Sequence, residues 1–189
     1  VVDKSALQAA VKKAKKTYAK SKYTAASWSA YDKALKKAQS VLANESATQK
    51  EVDNALSGLK KAISGLKAAL LKGDQIMVKG VVYKVTDAKA KEVTALKPQS
   101  KKSKSLTIGE TVKIKNVTCK VVSISPSAFT GMKSLTKVTI AKNVKTIGSK
   151  AFYNDTKLKS IKISSSSVKS IGKYAFKGIA KNATIDVPN

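Results

Sequence analysis

One short pattern, written three times, governs what this chain can fold into. The copies are VVSISPSAFTGMKSLTKVTIAKNV (121–144), KTIGSKAFYNDTKLKSIKISSSSV (145–168) and KSIGKYAFKGIAKNATIDVPN (169–189). Ile124, Ile147 and Ile171 correspond, as do Phe129, Phe152 and Phe176, each behind an alanine, so the period is 23 to 24 residues. All 3 phenylalanines of the chain stand here. Further along each copy comes an apolar triplet, Leu135, Val138, Ile140, then Leu158, Ile161, Ile163, and last Ile185 and Val187 with Ala183 nearby. A period of this length turns the chain once per copy: a short strand sends alternate apolar side chains inward, the Ala-Phe pair fills the opposite wall, and successive coils pair backbone at about 4.8 Å. One coil cannot bury its apolar side alone, and three is near the minimum for stability. The third copy stops just after its strand, and Val1 follows neither an initiator Met nor a signal-peptide pattern, so the expectation is a segment of a longer protein.

Charge and composition narrow the chemistry. The 38 basic residues are all Lys against 11 acidic ones, a net charge of +27 with no Arg and no His. Reading base edges or gripping phosphate bidentately normally uses the planar fork of Arg, which Lys cannot replace, so specific nucleic-acid recognition is not expected. Lysine alone makes a solvated surface and a diffuse, salt-sensitive field, with weak binding to anionic wall polymers as its consequence. Without His there is no imidazole base or His zinc ligand, and the 1 Cys makes neither an internal disulfide nor a thiolate cluster. Alternation in NVTCKVV puts Val117, Cys119 and Val121 on one strand face, so Cys119 reads as a buried thiol. No run of apolar residues is long enough to span a bilayer. No paired carboxylates stand in a glycosidase-like context, and neither catalysis nor a cofactor is expected.

Residues 3 to 70 carry helical periodicity in three segments. The first runs from Asp3, read as its N-cap, to about Lys20, with Leu7, Ala10, Val11, Ala14 and Tyr18 on its apolar stripe. The second, about Ala25 to Ala43, places Trp28, Tyr31, Leu35, Ala38 and Leu42 on one stripe, with Thr24 as cap and Asn44 at its exit. The third opens on a capping box, Thr48 to Glu51, and its stripe runs on through Leu66. Short connections between stripes of similar length predict an antiparallel three-helix bundle. Residues 67–80 form the join, continuing as helix or bending as a hinge. Beyond it, strands are expected at 80–85, 92–96, 105–108, 111–115 and 118–124, with the polar run 97–105 as a turn. Such a strand unit hides the open side of the first coil, as a cap must.

Two stretches resemble known families. Tyr23-Thr24, Ser27-Trp28 and Gln49-Lys-Glu51-Val52-Asp53-Asn-Ala55 resemble the FIVAR module over residues 3–68. Ile147-Gly148, Ala151-Phe152, Leu158, Ile161 and Ile163 resemble the BspA-like leucine-rich repeat, which fits about 117–189 and extends back to about 75 with the cap. Met132, Asp155 and Ile179 replace that family's frequent small Cys, and Ala141 replaces a Pro. Asp155 marks the second coil as the place where packing departs from the pattern. The resemblances imply an extracellular, cell-surface or secreted protein of Gram-positive bacteria, with adhesion to host or matrix proteins or to glycans.

The fold class expected is therefore α+β: a FIVAR-like three-helix bundle (1–70), a β-strand cap (71–121) and a short leucine-rich-repeat solenoid of three copies, the last truncated (122–189). On the strand register, the outward rows Lys137, Ser160, Thr184 and Thr139, Lys162, Asp186 form a candidate binding face, although any solvated sheet face has that composition. Tyr23, Trp28 and Tyr31 are candidates for sugar stacking, set against a core role on the stripe of Leu35. Lys101, Lys102 and Lys104 are candidates for acidic partners, set against a solvated turn. The expected function is a monomeric, non-catalytic adhesion segment without membrane insertion. An accessory carbohydrate-binding segment of a secreted enzyme, or a passive stalk, are the alternatives.

Overall fold

A computed structural model describes residues 1–188, which divide into two compact units, Val1–Ala69 and Leu70 onward. The first holds three helices: α1 (Ser5–Thr17), α2 (Ala25–Ala43) and α3 (Gln49–Ser64). Each packs against the other two, burying Leu7, Val11, Ala14, Tyr31, Ala38, Val52, Ala55 and Leu59, the residues their stripes bring inward. The capping box of α3 is complete: Thr48 Oγ1 accepts from Glu51 N at 3.3 Å, and Glu51 Oε2 accepts from Thr48 N at 2.8 Å. Two end assignments differ from the sequence reading. Lys4, not Asp3, holds the N-cap of α1, and the Asp3 carboxylate accepts from Ser5 N at 2.8 Å from one residue further back. Thr24 does sit at the N-cap of α2, but its hydroxyl meets Ser27 Oγ at 2.8 Å instead of a backbone N–H.

The third helix also ends earlier than its stripe suggests. It stops at Ser64 with Gly65 as cap, and the chain turns extended: Thr24 N donates to Lys67 O at 2.8 Å and Ala69 N to Lys22 O at 3.0 Å. These bonds satisfy backbone groups that a frayed helix end would leave to water.

The second unit is built of strands. β1 (Gln75–Val78), β2 (Val81–Asp87) and β3 (Glu92–Pro98) form an antiparallel meander. β1 lies where the sequence suggested helix or hinge. Its two-residue connection to β2, Lys79 at φ 48° and Gly80 at φ 77°, has the left-handed pair that matches strand twist in a tight hairpin. β4 (Ser105–Ile108) and β5 (Thr111–Ile114) follow, and Lys115 and Asn116, at φ 48° and 64°, turn β5 back onto β6 (Val117–Ile124). Then come β7 (Lys137–Ile140), β8 (Thr146–Ile147), β9 (Ser160–Ile163), β10 (Ser170–Ile171) and β11 (Thr184–Asp186).

Two sheets result. In one, β6, β8 and β10 are parallel neighbours, and β3 pairs parallel along the other side of β6. In the other, β4, β7, β9 and β11 are all parallel. Sequence reading grouped β4 with the cap, yet it is the leading rung of this sheet, with Leu106 and Ile108 aligned on Val138 and Ile140. Between the sheets lie Ile124, Ile147, Val138, Ile140, Ile161, Ile163, Leu135 and Leu158, all buried. Phe129, Phe152 and Phe176 stack at centroid spacings of 5.3 and 5.4 Å.

The Ile-Gly step has a steric cause. A Cβ on Gly148 would stand 2.6 Å from the Ser125 carbonyl carbon, and one on Gly172 would stand 2.7 Å from Ser149 Cα, so only glycine lets these coils approach. Ile171, Ile185 and Val187 follow the inward pattern but are 54, 46 and 56 % exposed, because no described coil lies beyond β10 and β11.

Candidate binding surface

The outward residues of the parallel sheet stand in rows because its strands are in register. Lys137, Ser160 and Thr184 align, and so do Thr139, Lys162 and Asp186. Strand β4 adds a rung that sequence reading missed, Ser105 beside Lys137 and Thr107 beside Thr139. Its short Ser-Leu-Thr-Ile alternation was the available signal, but only the long-range pairing identifies it as part of the ladder. Lys137, Lys162, Thr184 and Asp186 are exposed, whereas Thr139 and Ser160 are half-buried. A hollow of about 340 Å³ beside the last two rungs is lined by Lys162, Ile163, Ser164, Asp186, Val187 and Pro188. Hydroxyls and ammonium groups at strand spacing offer hydrogen bonds and charge to a flat partner.

The aromatic candidates do meet, in the helical unit. Tyr23 stacks on Trp28 at 6.2 Å and 18°, Trp28 meets Tyr31 at 4.8 Å, and Tyr18, which sequence reading treated only as core, adds an edge contact to Tyr31 at 5.6 Å. Tyr31 is only 1 % exposed, and its hydroxyl donates to Ala14 O at 3.0 Å. Burial pushes its phenol further up. Tyr31 therefore gives a ligand no surface, while Trp28 and Tyr23 remain half-buried. In the same unit a groove of about 280 Å³ lies among Ala10, Lys13, Ala14, Tyr18, Lys60, Ile63 and Ser64.

The lysine loop is exposed at Lys101, Lys102 and Lys104, and it is anchored by its backbone. Lys104 O accepts from Thr136 N at 2.8 Å and from Thr136 Oγ1 at 2.9 Å, which ties the loop to the coil that comes next. Cys119 is fully buried, and burial pushes its thiol up, away from reactivity.

Three helices followed by stacked parallel strands, each unit with its own core, make a chain of two modules. Its modules are recognisable by family. Residues 3–67 match the FIVAR domain, and residues 104–189 match the family described as BspA type Leucine rich repeat region (6 copies); the chain carries the two in that order. Both are non-catalytic module types, typical of cell-surface and secreted proteins. No curated protein matches the chain.

Among solved structures, a leucine rich cell surface protein from Faecalibacterium prausnitzii A2-165 is 28% identical with a TM-score of 0.52, covering 60% of this chain and 31% of that one. A leucine-rich repeat protein from Bacteroides ovatus ATCC 8483 is 24% identical with a TM-score of 0.47, covering 59% of this chain and 37% of that one. The structure of CBM51-2 in complex with GlcNAc and INT domains from Clostridium perfringens ZmpB is 18% identical with a TM-score of 0.37, covering 86% of this chain and 34% of that one. This chain thus spans well under two thirds of each of those structures. No described helix is long and apolar enough to cross a membrane.

Proposed function

We propose that this chain is a non-catalytic binding segment of a bacterial cell-surface protein, in which an antiparallel three-helix bundle precedes a short leucine-rich-repeat solenoid. The observation that carries the reading is the succession of a FIVAR domain and a BspA-type repeat region. The likeness to a leucine rich cell surface protein at 28% identity supports it. The contact face on this reading is the ladder of Ser105, Lys137, Ser160 and Thr184 beside Thr107, Thr139, Lys162 and Asp186. The partner is a host or matrix protein, or a glycan, lying across the rungs. A second reading, carbohydrate binding by the helical unit, is favoured by the stacked and half-exposed pair Tyr23 and Trp28.

The test is a screen of the whole chain against immobilised matrix proteins and a glycan panel, at low and near-physiological salt. A selective partner that survives the higher salt and is lost in a Lys137→Ala/Lys162→Ala variant is the expected result. Loss on Trp28→Ala instead assigns binding to the helices. Uniform capture that disappears with salt reports only the +27 charge, and the segment is then a stalk.

A further inference from the structure

Each coil repeats a backbone device outside the two sheets. Ser127, Lys150 and Tyr174 occupy the same place in successive coils, and all three are left-handed, at φ 54°, 55° and 63°. Four residues further on, Gly131, Asn154 and Gly178 are left-handed too, at φ 73°, 59° and 80°. Glycine and asparagine at the second place are what the conformation favours, whereas a lysine and a tyrosine at the first are not. Strained positions filled by bulky side chains are where a function other than folding is to be sought.

What those side chains build is a checkerboard. Lys150 N donates to Lys173 O at 3.1 Å, Phe152 N to Ala175 O at 2.8 Å and Asn154 N to Lys177 O at 2.9 Å, so 150–154 runs alongside 173–177. Lys150 and Tyr153 of one coil therefore lie beside Tyr174 and Lys177 of the next. The Lys173 and Lys177 ammonium groups stand 4.9 and 4.8 Å from the centre of the Tyr174 ring, and that of Lys150 stands 5.8 Å from the centre of Tyr153. Tyr174 is 43% exposed, and Ser127 and Lys150 at the equivalent place are exposed as well, so this position faces water in every coil.

The cations rest on rings because acids are scarce around them. Residues 145–189 hold nine lysines and two aspartates, of which Asp155 is buried and Asp186 lies on the strand face. Among the described residues none of Lys150, Lys173 and Lys177 makes an ion pair. An ammonium held by an exposed ring is held weakly, and a charge-assisted hydrogen bond to an anion is stronger. A ligand that carries anions and also has a flat, apolar face satisfies both components: the lysines swing onto its acid groups and uncover the rings they leave. We propose that Lys150, Tyr153, Lys173, Tyr174 and Lys177 form a binding site for an acidic glycan, whose carboxylates or sulfates meet the lysines while a sugar face stacks on tyrosine. The site lies apart from the strand ladder and stands whether or not the ladder binds a partner.

The experiment measures binding of the full chain to short heparin and hyaluronate oligosaccharides, with inorganic polyphosphate as a sugar-free polyanion, at about 0.15 M salt. Binding to heparin assigns sulfate as the preferred anion and binding to hyaluronate assigns carboxylate; binding to neither overturns the proposal. Tyr174→Gly is expected to weaken the bound sugar about five- to tenfold. Because glycine suits φ 63°, that variant should melt at or above the parent temperature, which separates lost binding from lost folding. Lys173→Ser/Lys177→Ser is expected to weaken it at least about tenfold, while Lys12→Ser/Lys16→Ser on α1, with the same loss of charge, changes it less than about twofold. Equal losses in the two double variants, unchanged binding in Tyr174→Gly, or polyphosphate bound as tightly as the sugar would each overturn the site.

Discussion

A carboxylate standing where the neighbouring coils have a methionine or an isoleucine is held by the coil before it. Asp155 is fully buried, and its Oδ1 accepts from Met132 N at 2.7 Å across the gap between coils, while Oδ2 is buried without a hydrogen-bond partner among the described residues. Desolvation pushes its carboxyl from 3.8 up to about 6, against the pull of the Met132 and Gly131 N–H groups and of Lys133 and Lys101. A folded-state pKa above the unfolded one means that folding favours the protonated form. The stability this group contributes is therefore full below the ordinary carboxylate range and is lost as pH rises toward about 6. The loss is on the order of 2–3 kcal/mol. Asp155→Asn keeps the acceptor for Met132 and removes the titration. Urea unfolding of the strand unit between pH 4 and 7 should show a declining midpoint in the parent and a flatter profile in the variant. Glu51, whose carboxyl is held below its usual range by Thr48 N–H and O–H, works in the opposite sense in the helical unit.

At the scale of the element, the coil depends on close approach as much as on apolar filling. The Phe129, Phe152 and Phe176 stack and the isoleucine rows fill the interior, and beside the isoleucines the coils also approach closely, Gly148 N donating to Ile124 O at 2.9 Å and Gly172 N to Ile147 O at 2.8 Å. Gly148→Ala adds one methyl against the backbone of Ser125 and Pro126, which no side-chain rotation relieves. It should cost about 1–3 kcal/mol, read as a lower denaturant midpoint of the strand unit with the helical unit unchanged. The first coil has Ser125 at the equivalent place, where Ser125 N donates to Ala95 O and its hydroxyl lies 3.0 Å from Thr94 Oγ1. There the neighbour is β3 rather than another copy of the repeat, and a side chain is accommodated.

For the whole molecule, the two units have separate cores: among the described residues, none of the helical cluster recurs in the strand cluster. Residues 70–189 made alone should give a strand-rich circular dichroism spectrum, and residues 1–69 should keep the helical signal. Collapse of the strand signal on removal of 1–69 would show that the helices are needed to close the first coil. The positive charge spreads over both units, so salt screens weak attraction to anionic polymers across the whole chain. A site that survives salt has to be made locally, by register and packing.

Sequence alone determined the features set by local chemistry and period. The capping box at Thr48 and Glu51 and the apolar stripes are written in residues close along the chain, and the 23-to-24-residue copies in its period. The families were legible for the same reason. Tertiary structure alone decided the features that depend on distant partners. The third helix stops at Ser64 because residues 67–69 bond to 22–24, and β1 exists because β2 returns to pair with it. Strand β4 joins the ladder by pairing with residues more than 30 positions away. Tyr31 is removed from the candidate aromatic surface by a carbonyl on another helix, and Asp155 is tolerated by an N–H on another coil. Backbone hydrogen bonds and burial depend on which segments meet in space, and a periodic pattern specifies only the segments.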